Sequence, residues 1–209
     1  MMVSISTVAK ADCFSRIRWI QKVTILWMTI EAGVSLCAAW LARSPALLAF
    51  GGDSAIELAS AMVVLWEFNQ RSESQGVKPQ AAKVAGALLI VLAVYVALLS
   101  TLGMMRHDGP RPSKLGIAIL IAAAGLMPLL AHQKRRLSAA TGSATLRADA
   151  AQSSLCAYLS LIALVGLATN AFWHIPWADP LAALAITPLI LWEAKESFRG
   201  KFCDCCSES

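Results

Sequence analysis

Asp53 and Glu57 stand four residues apart within a long apolar run. On a helix that spacing puts both carboxylates on one face, about 6 Å apart along the axis. Two such charges in an apolar medium repel, and one takes up a proton unless a cation lies between them. The pair is therefore a ligand set for a divalent ion and a proton acceptor once the ion has left. Carboxylates inside a membrane are functional by default, because their burial is expensive. The competing reading makes Asp53 a helix cap after Gly51-Gly52 and turns Glu57 to water.

A later apolar run carries Asp149, Gln152, Ser153 and Cys156. Gln152 and Cys156 repeat the four-residue spacing. A thiolate is a strong ligand for soft or borderline metals, and an amide oxygen is a weak one. Read without a metal, Cys156 is a small buried hydrophobe and Gln152 an interhelical hydrogen-bonding group. Glu31 is a third carboxylate in an apolar run, expected as ligand or proton relay; Asp149 is expected as an accessory group. Cys203, Cys205 and Cys206 form a Cys-x-Cys-Cys tail. In reducing cytosol a disulfide framework is not expected there. The alternatives are capture of a soft cation and an unstructured tail with incidental thiols. Three thiols do not define a closed zinc site.

These residues must be held by membrane helices. The 209 residues are 57% hydrophobic and 15% charged, against roughly 25% charged in soluble domains. Apolar runs lie near 18–41, 46–69, 82–105, 115–132, 143–172 and 177–198. Each is long enough for a helix that needs about 20 residues to span a bilayer. Breakers separate them, among them Ser44-Pro45, the polar stretch Asn69 to Pro79, and His107 to Pro112. Pro128 and Pro188 fall inside runs and read as tolerated kinks. The expected fold is an all-α integral membrane bundle of six transmembrane helices over 18–199. A cytoplasmic segment, 1–17, precedes it and a cytoplasmic Cys-rich tail, 200–209, follows.

Lys and Arg set the expected orientation. With the N-terminus in the cytoplasm, only Arg43, Arg106, Arg111 and Lys114 of the 18 basic residues fall outside. The other fourteen, Lys134, Arg135 and Arg136 among them, fall inside, so both termini are expected on the cytoplasmic side. Trp40, Trp173 and Trp177 mark outer helix ends, and Trp19, Trp66 and Trp192 inner ends. The basic residues thus read as topology signals, and nucleic acid is not expected as a partner. With helix two entering from outside, Asp53 lies about 12 Å deep, and with helix five entering from inside, Cys156 lies about 13–20 Å up. Both depths fall near the middle of a core about 30 Å thick, where a transporter holds its site. His107, His132 and His174 fall near helix ends, with no buried nucleophile–base pair to be placed on them. A secondary transporter is expected rather than an enzyme, with no resident cofactor.

The stretch Ser44-Pro45-Ala46-Leu47-Leu48-Ala49-Phe50-Gly51-Gly52-Asp53-Ser54-Ala55-Ile56-Glu57 resembles the second helix of the cation diffusion facilitators. Arg147-Ala148-Asp149-Ala150-Ala151-Gln152-Ser153-Ser154-Leu155-Cys156 resembles their fifth helix. Trp177-Ala178-Asp179-Pro180-Leu181-Ala182-Ala183-Leu184 resembles the start of their sixth. The resemblance implies efflux of zinc or a related divalent cation in exchange for protons, by a homodimer in the cytoplasmic membrane. It implies metal ligands at Asp53, Glu57, Gln152 and Cys156. Glu57, Gln152 and Cys156 stand where Asp, His and Asp are usual in the family. That leaves Asp53, Glu57 and Cys156 as the strongest ligands, with Gln152 a weak or indirect partner. The thiols shift the expected cargo from zinc towards cadmium, lead or mercury. The chain is similar to the transmembrane-only branch, without the family's cytoplasmic ferredoxin-like domain. The competing expectation is a non-transporting metal sensor or accessory membrane protein on the same fold.

Overall fold

The computed structural model describes residues 3–70, 79–106, 110–141 and 144–199. The described residues form six α-helices and no strand: α1 Val3–Ala42, α2 Pro45–Gln70, α3 Pro79–Arg106, α4 Lys114–Thr141, α5 Ala144–Trp173 and α6 Ala178–Arg199. The expected six-helix, all-α reading agrees with this order. Two boundaries differ from the hydropathy runs. Helix α1 begins at Val3 rather than near residue 18, and α4 continues to Thr141 instead of stopping near 132. Four stretches, Trp19–Ala42, Lys83–Met105, Lys114–Ala140 and Asp149–Trp173, are long and apolar enough to cross a membrane.

Local chemistry explains the helix ends. Helix α1 stops at Arg43, whose φ of 52° is left-handed. A helix commonly ends on such a residue. Ser44 then caps α2, its Oγ accepting from Leu47 N at 3.1 Å, and Pro45 takes the first helical position, where its missing N–H is not needed. Ser113 caps α4 in the same way, accepting from Gly116 N at 3.0 Å. Helix α5 ends before His174, again at positive φ. Pro128 and Pro188 sit inside α4 and α6 without ending them.

Packing closes the helices into a ring in the order α1, α2, α3, α6, α5, α4, with α2 also touching α5 and α6 across it. Helix α2 therefore has four neighbours. Phe50, Leu47, Leu120, Met127, Leu159, Leu167, Ile186 and Ile190 fill the interior at 0–1% exposure. The periphery is apolar too: Val91, Tyr95, Leu98 and Met105 of α3 are all more than half exposed. That inside-and-outside apolar character is what a lipid-facing bundle has. Trp40, Trp173, Trp177 and Trp192 are exposed near helix ends, and Trp19 is exposed at the start of the apolar part of α1.

Small residues set the spacing of α5 and α6. A Cβ placed on Gly166 would lie 2.3 Å from Ala182 Cβ and 3.1 Å from the Ala178 carbonyl oxygen. Gly166→Ala is expected to destabilise the bundle by about 1–3 kcal/mol, the range for overpacking. Thermal unfolding of the purified protein checks this; an unchanged Tm would mean the two helices separate freely there.

Candidate metal centre

Asp53 lies two turns into α2, in mid-helix, so the capping alternative does not hold for it. The two glycines before it bring α2 deep into the bundle. A Cβ on Gly51 would lie 2.8 Å from Ser35 Cβ of α1, and one on Gly52 2.7 Å from Leu92 Cδ1 of α3. Asp53 follows directly and is 0% exposed; Glu57, one turn on, is 6% exposed. The alternative that turned Glu57 to water is thus also set aside.

The third member of the cluster is Glu193 of α6, 8% exposed. Asp53, Glu57 and Glu193 each offer a carboxylate oxygen within 4.8 Å of the other two. Both oxygens of Asp53, Oε1 of Glu57 and Oε2 of Glu193 are buried with no hydrogen-bond partner. Buried polar atoms are nearly always partnered, so four orphaned acceptors on three carboxylates that converge from two helices make this the candidate site for a cation or protons. Three carboxylates this close cannot all stay charged and unaccompanied in an apolar interior.

The residues expected from sequence divide into separate groups. Asp53 and Glu57 come together as expected. Gln152 reaches the cluster indirectly: its Nε2 donates to Glu193 Oε1 at 3.1 Å. Cys156 is fully buried but its Sγ is not in the cluster; it donates to Glu31 Oε1 at 3.2 Å. Glu31 is 0% exposed and also accepts from Ser54 Oγ at 2.7 Å and from Trp27 Nε1. Glu31 is thus satisfied by three donors, whereas Asp53 next to Ser54 has none. Cys203, Cys205 and Cys206 lie outside the described residues.

Asp149 has a different partner. It accepts from Lys134 Nζ at 2.9 Å on Oδ1 and from Gln21 Nε2 at 2.7 Å on Oδ2. Lys134 also donates to Ser153 Oγ at 2.9 Å. Lys134 was expected as one of a run of topology-setting cations. It is instead 0% exposed, while Arg135 and Arg136 beside it are exposed. The reason is helical phase: Met127, Leu130 and Ala131 are buried on α4, and Lys134 continues their face at i+7, i+4 and i+3. At the other end of α2, Asp179 of α6 accepts from Ser44 Oγ at 2.7 Å and from Ala46 N at 3.4 Å. This pins the first turn of α2 to the first turn of α6, so the two helices that carry the carboxylates share a fixed point.

Glu193 was not singled out in the sequence because Lys195, Glu196 and Arg199 follow it, and the group reads as an interfacial cluster. Its phase carried the signal. Glu193 lies seven residues after Ile186 and three after Ile190, both 0% exposed, so it projects from the packed face of α6.

Residues 22–201 match the family model of the cation efflux transmembrane domain. The chain belongs to the cation efflux family. No curated protein matches it. As a member of that family it is an integral membrane protein of the metal-cation efflux type, a transporter fold and not an enzyme fold. The expected resemblance is thereby met over most of the cation efflux chain.

The Lys134–Asp149 pair joins α4 to α5 and, through Gln21, to α1. Lys134→Met is expected to destabilise the protein by about 2 kcal/mol, since it leaves a half-buried carboxylate without its cation. Adding Asp149→Asn should restore part of that loss in a double-mutant cycle on thermal stability. Simple additivity would mean the two groups do not stabilise each other.

Proposed function

We propose that this chain is a secondary carrier that moves a divalent metal cation out of the cytoplasm in exchange for protons. The observation that supports it is the buried triad of Asp53, Glu57 and Glu193 with its four unpartnered oxygens. In this reading all six helices span the cytoplasmic membrane, both termini are cytoplasmic, and two copies associate through membrane helices. The Cys203, Cys205 and Cys206 tail assists capture of the ion on the cytoplasmic side. Zinc, which accepts carboxylate oxygens as well as nitrogen and sulfur, is the reference cargo. The shift towards cadmium, lead or mercury rested on the thiols of Cys156 and of the tail; that of Cys156 is engaged with Glu31.

The exchange follows from charge. A divalent cation offsets two of the triad's three negative charges, and two protons do the same, so arrival of protons from the outer side releases the metal and arrival of metal from the inner side releases protons. Such a site serves transport only if it opens alternately to each side. Asp53 lies about 12 Å along α2 from Pro45, and Glu193 about 22 Å along α6 from Ala178, by helical rise. The site is therefore remote from the helix ends where α2 and α6 are pinned together.

The test is metal flux in proteoliposomes under an imposed pH gradient, comparing wild type with Asp53→Asn. Gradient-driven flux is expected in the wild type and should fall by roughly 100-fold or more in the variant, beyond the 10–100-fold typical of losing a group that only supports a ligand. Equal gradient-driven flux in the two proteins would refute the triad as the transport site, and no flux in a folded wild type would refute the carrier reading. Metal binding without flux in the wild type would favour the sensor on the same fold.

A further inference from the structure

The donor set of the buried cluster is all oxygen. Asp53, Glu57 and Glu193 supply carboxylates. The amide of Gln152 is tied to Glu193 through its nitrogen. The buried thiol of Cys156 donates to Glu31 instead. His132 and His174 are exposed. No imidazole or thiolate among the described residues therefore enters the cluster. Burial and lack of partners are independent of the clustering: Asp53 is 0% exposed, both of its oxygens are unpaired, and one carboxylate oxygen lies within 4.8 Å of those offered by Glu57 and Glu193.

Resting on the carrier reading, we propose that Glu193 of α6 is a direct metal ligand and the specificity-determining residue. It completes a carboxylate-only site suited to hard, oxygen-preferring divalent cations of the manganese(II) kind. Imidazole and thiolate ligands favour zinc and cadmium over manganese, whereas carboxylate, carbonyl and water suit magnesium, calcium and manganese. Three carboxylates can present up to six oxygens. Glu193 brings its oxygens from a second helix, which two residues on one helix face cannot do for themselves. The third oxygen ligand thus replaces a nitrogen or sulfur donor and removes the advantage that zinc and cadmium would draw from one.

The experiment is manganese(II) binding to the purified full-length protein, read as loss of the free-ion electron paramagnetic resonance signal. Zinc or cadmium, held at buffered free concentration, then competes for the bound manganese, so that ions held on the tail thiols do not enter the reading. The wild type should bind manganese saturably, with zinc and cadmium displacing it no more than about tenfold more effectively. Asp53→Asn and Glu193→Gln should each abolish the binding, and Cys156→Ser should leave it unchanged. Glu193→His should gain preference for zinc over manganese by about tenfold or more; because this is a gain, it stays informative if Glu193→Gln fails to fold. Manganese binding by Glu193→Gln equal to wild type would overturn the proposal. Zinc or cadmium binding that depends on Asp53 and on Cys156, with no manganese binding, would overturn it while leaving the carrier reading intact. Absence of Asp53-dependent binding by all three ions would remove both.

Discussion

Three carboxylates in an apolar interior are the constraint on which the rest of the structure depends. Each is costly to desolvate, and four of the oxygens of Asp53, Glu57 and Glu193 have no donor to offset that cost. An unoffset penalty of this kind has to be balanced by packing around it. The bundle supplies that packing by giving α2 four neighbours. Gly51 and Gly52 let α2 approach α1 and α3 at contact distance immediately before Asp53. Asp179 then fixes the start of α2 against the start of α6. The same helix that would be least comfortable in lipid, because it carries two acids a turn apart, is thus the one most surrounded by protein.

Polar groups elsewhere in the bundle follow the opposite logic. Glu31 receives Ser54, Cys156 and Trp27, and Asp149 receives Lys134 and Gln21. These two acids are satisfied and join α1 to α2 and α5, and α4 to α5 and α1. Ser54 and Asp53 are consecutive residues, yet one donates into a closed network and the other faces an open one. That contrast, and not burial alone, separates structural acids from the site. A buried acid with donors rigidifies; a buried acid without them leaves its desolvation cost unoffset.

Much of this was legible in the sequence, for reasons that also explain what was missed. Asp53 and Glu57 were legible because both lie in one apolar run, at a spacing that defines one helix face. The six helices were legible because apolar runs and breakers are local features, and Ser44-Pro45 is a helix start written in two residues. Glu193 was hidden by its sequence neighbours, since charge at the end of an apolar run ordinarily means the membrane surface. Lys134 was hidden in the same way, just before two exposed arginines. In both cases helical phase outweighed local composition: each continues a buried stripe one turn beyond where the hydrophobic residues stop. The placement of Cys156 was not legible at all. Its four-residue spacing from Gln152 holds on α5, but which acid the thiol meets is decided by how α1 packs against α2 and α5, a contact separated by 125 residues in sequence.

The proposed division of the ligands between α2 and α6 has a mechanical consequence. Two ligands on one helix keep their separation whatever the bundle does, so a site built on α2 alone would hold its ion equally well in every arrangement of the helices. A ligand set can change affinity during transport only if its members move relative to one another, because a ligand shifts a conformational equilibrium only through unequal affinity for the two states. Glu193 provides that freedom. It lies some 22 Å along α6 from the turn that Asp179 anchors to α2, and rotation about that anchor displaces Glu193 far more than it displaces Asp179. On the proposed carrier reading, the clamp at one end and the shared site along the shaft would form a lever, in which opening α6 away from α2 would withdraw one carboxylate and leave Asp53 and Glu57 to the protons that replace the ion.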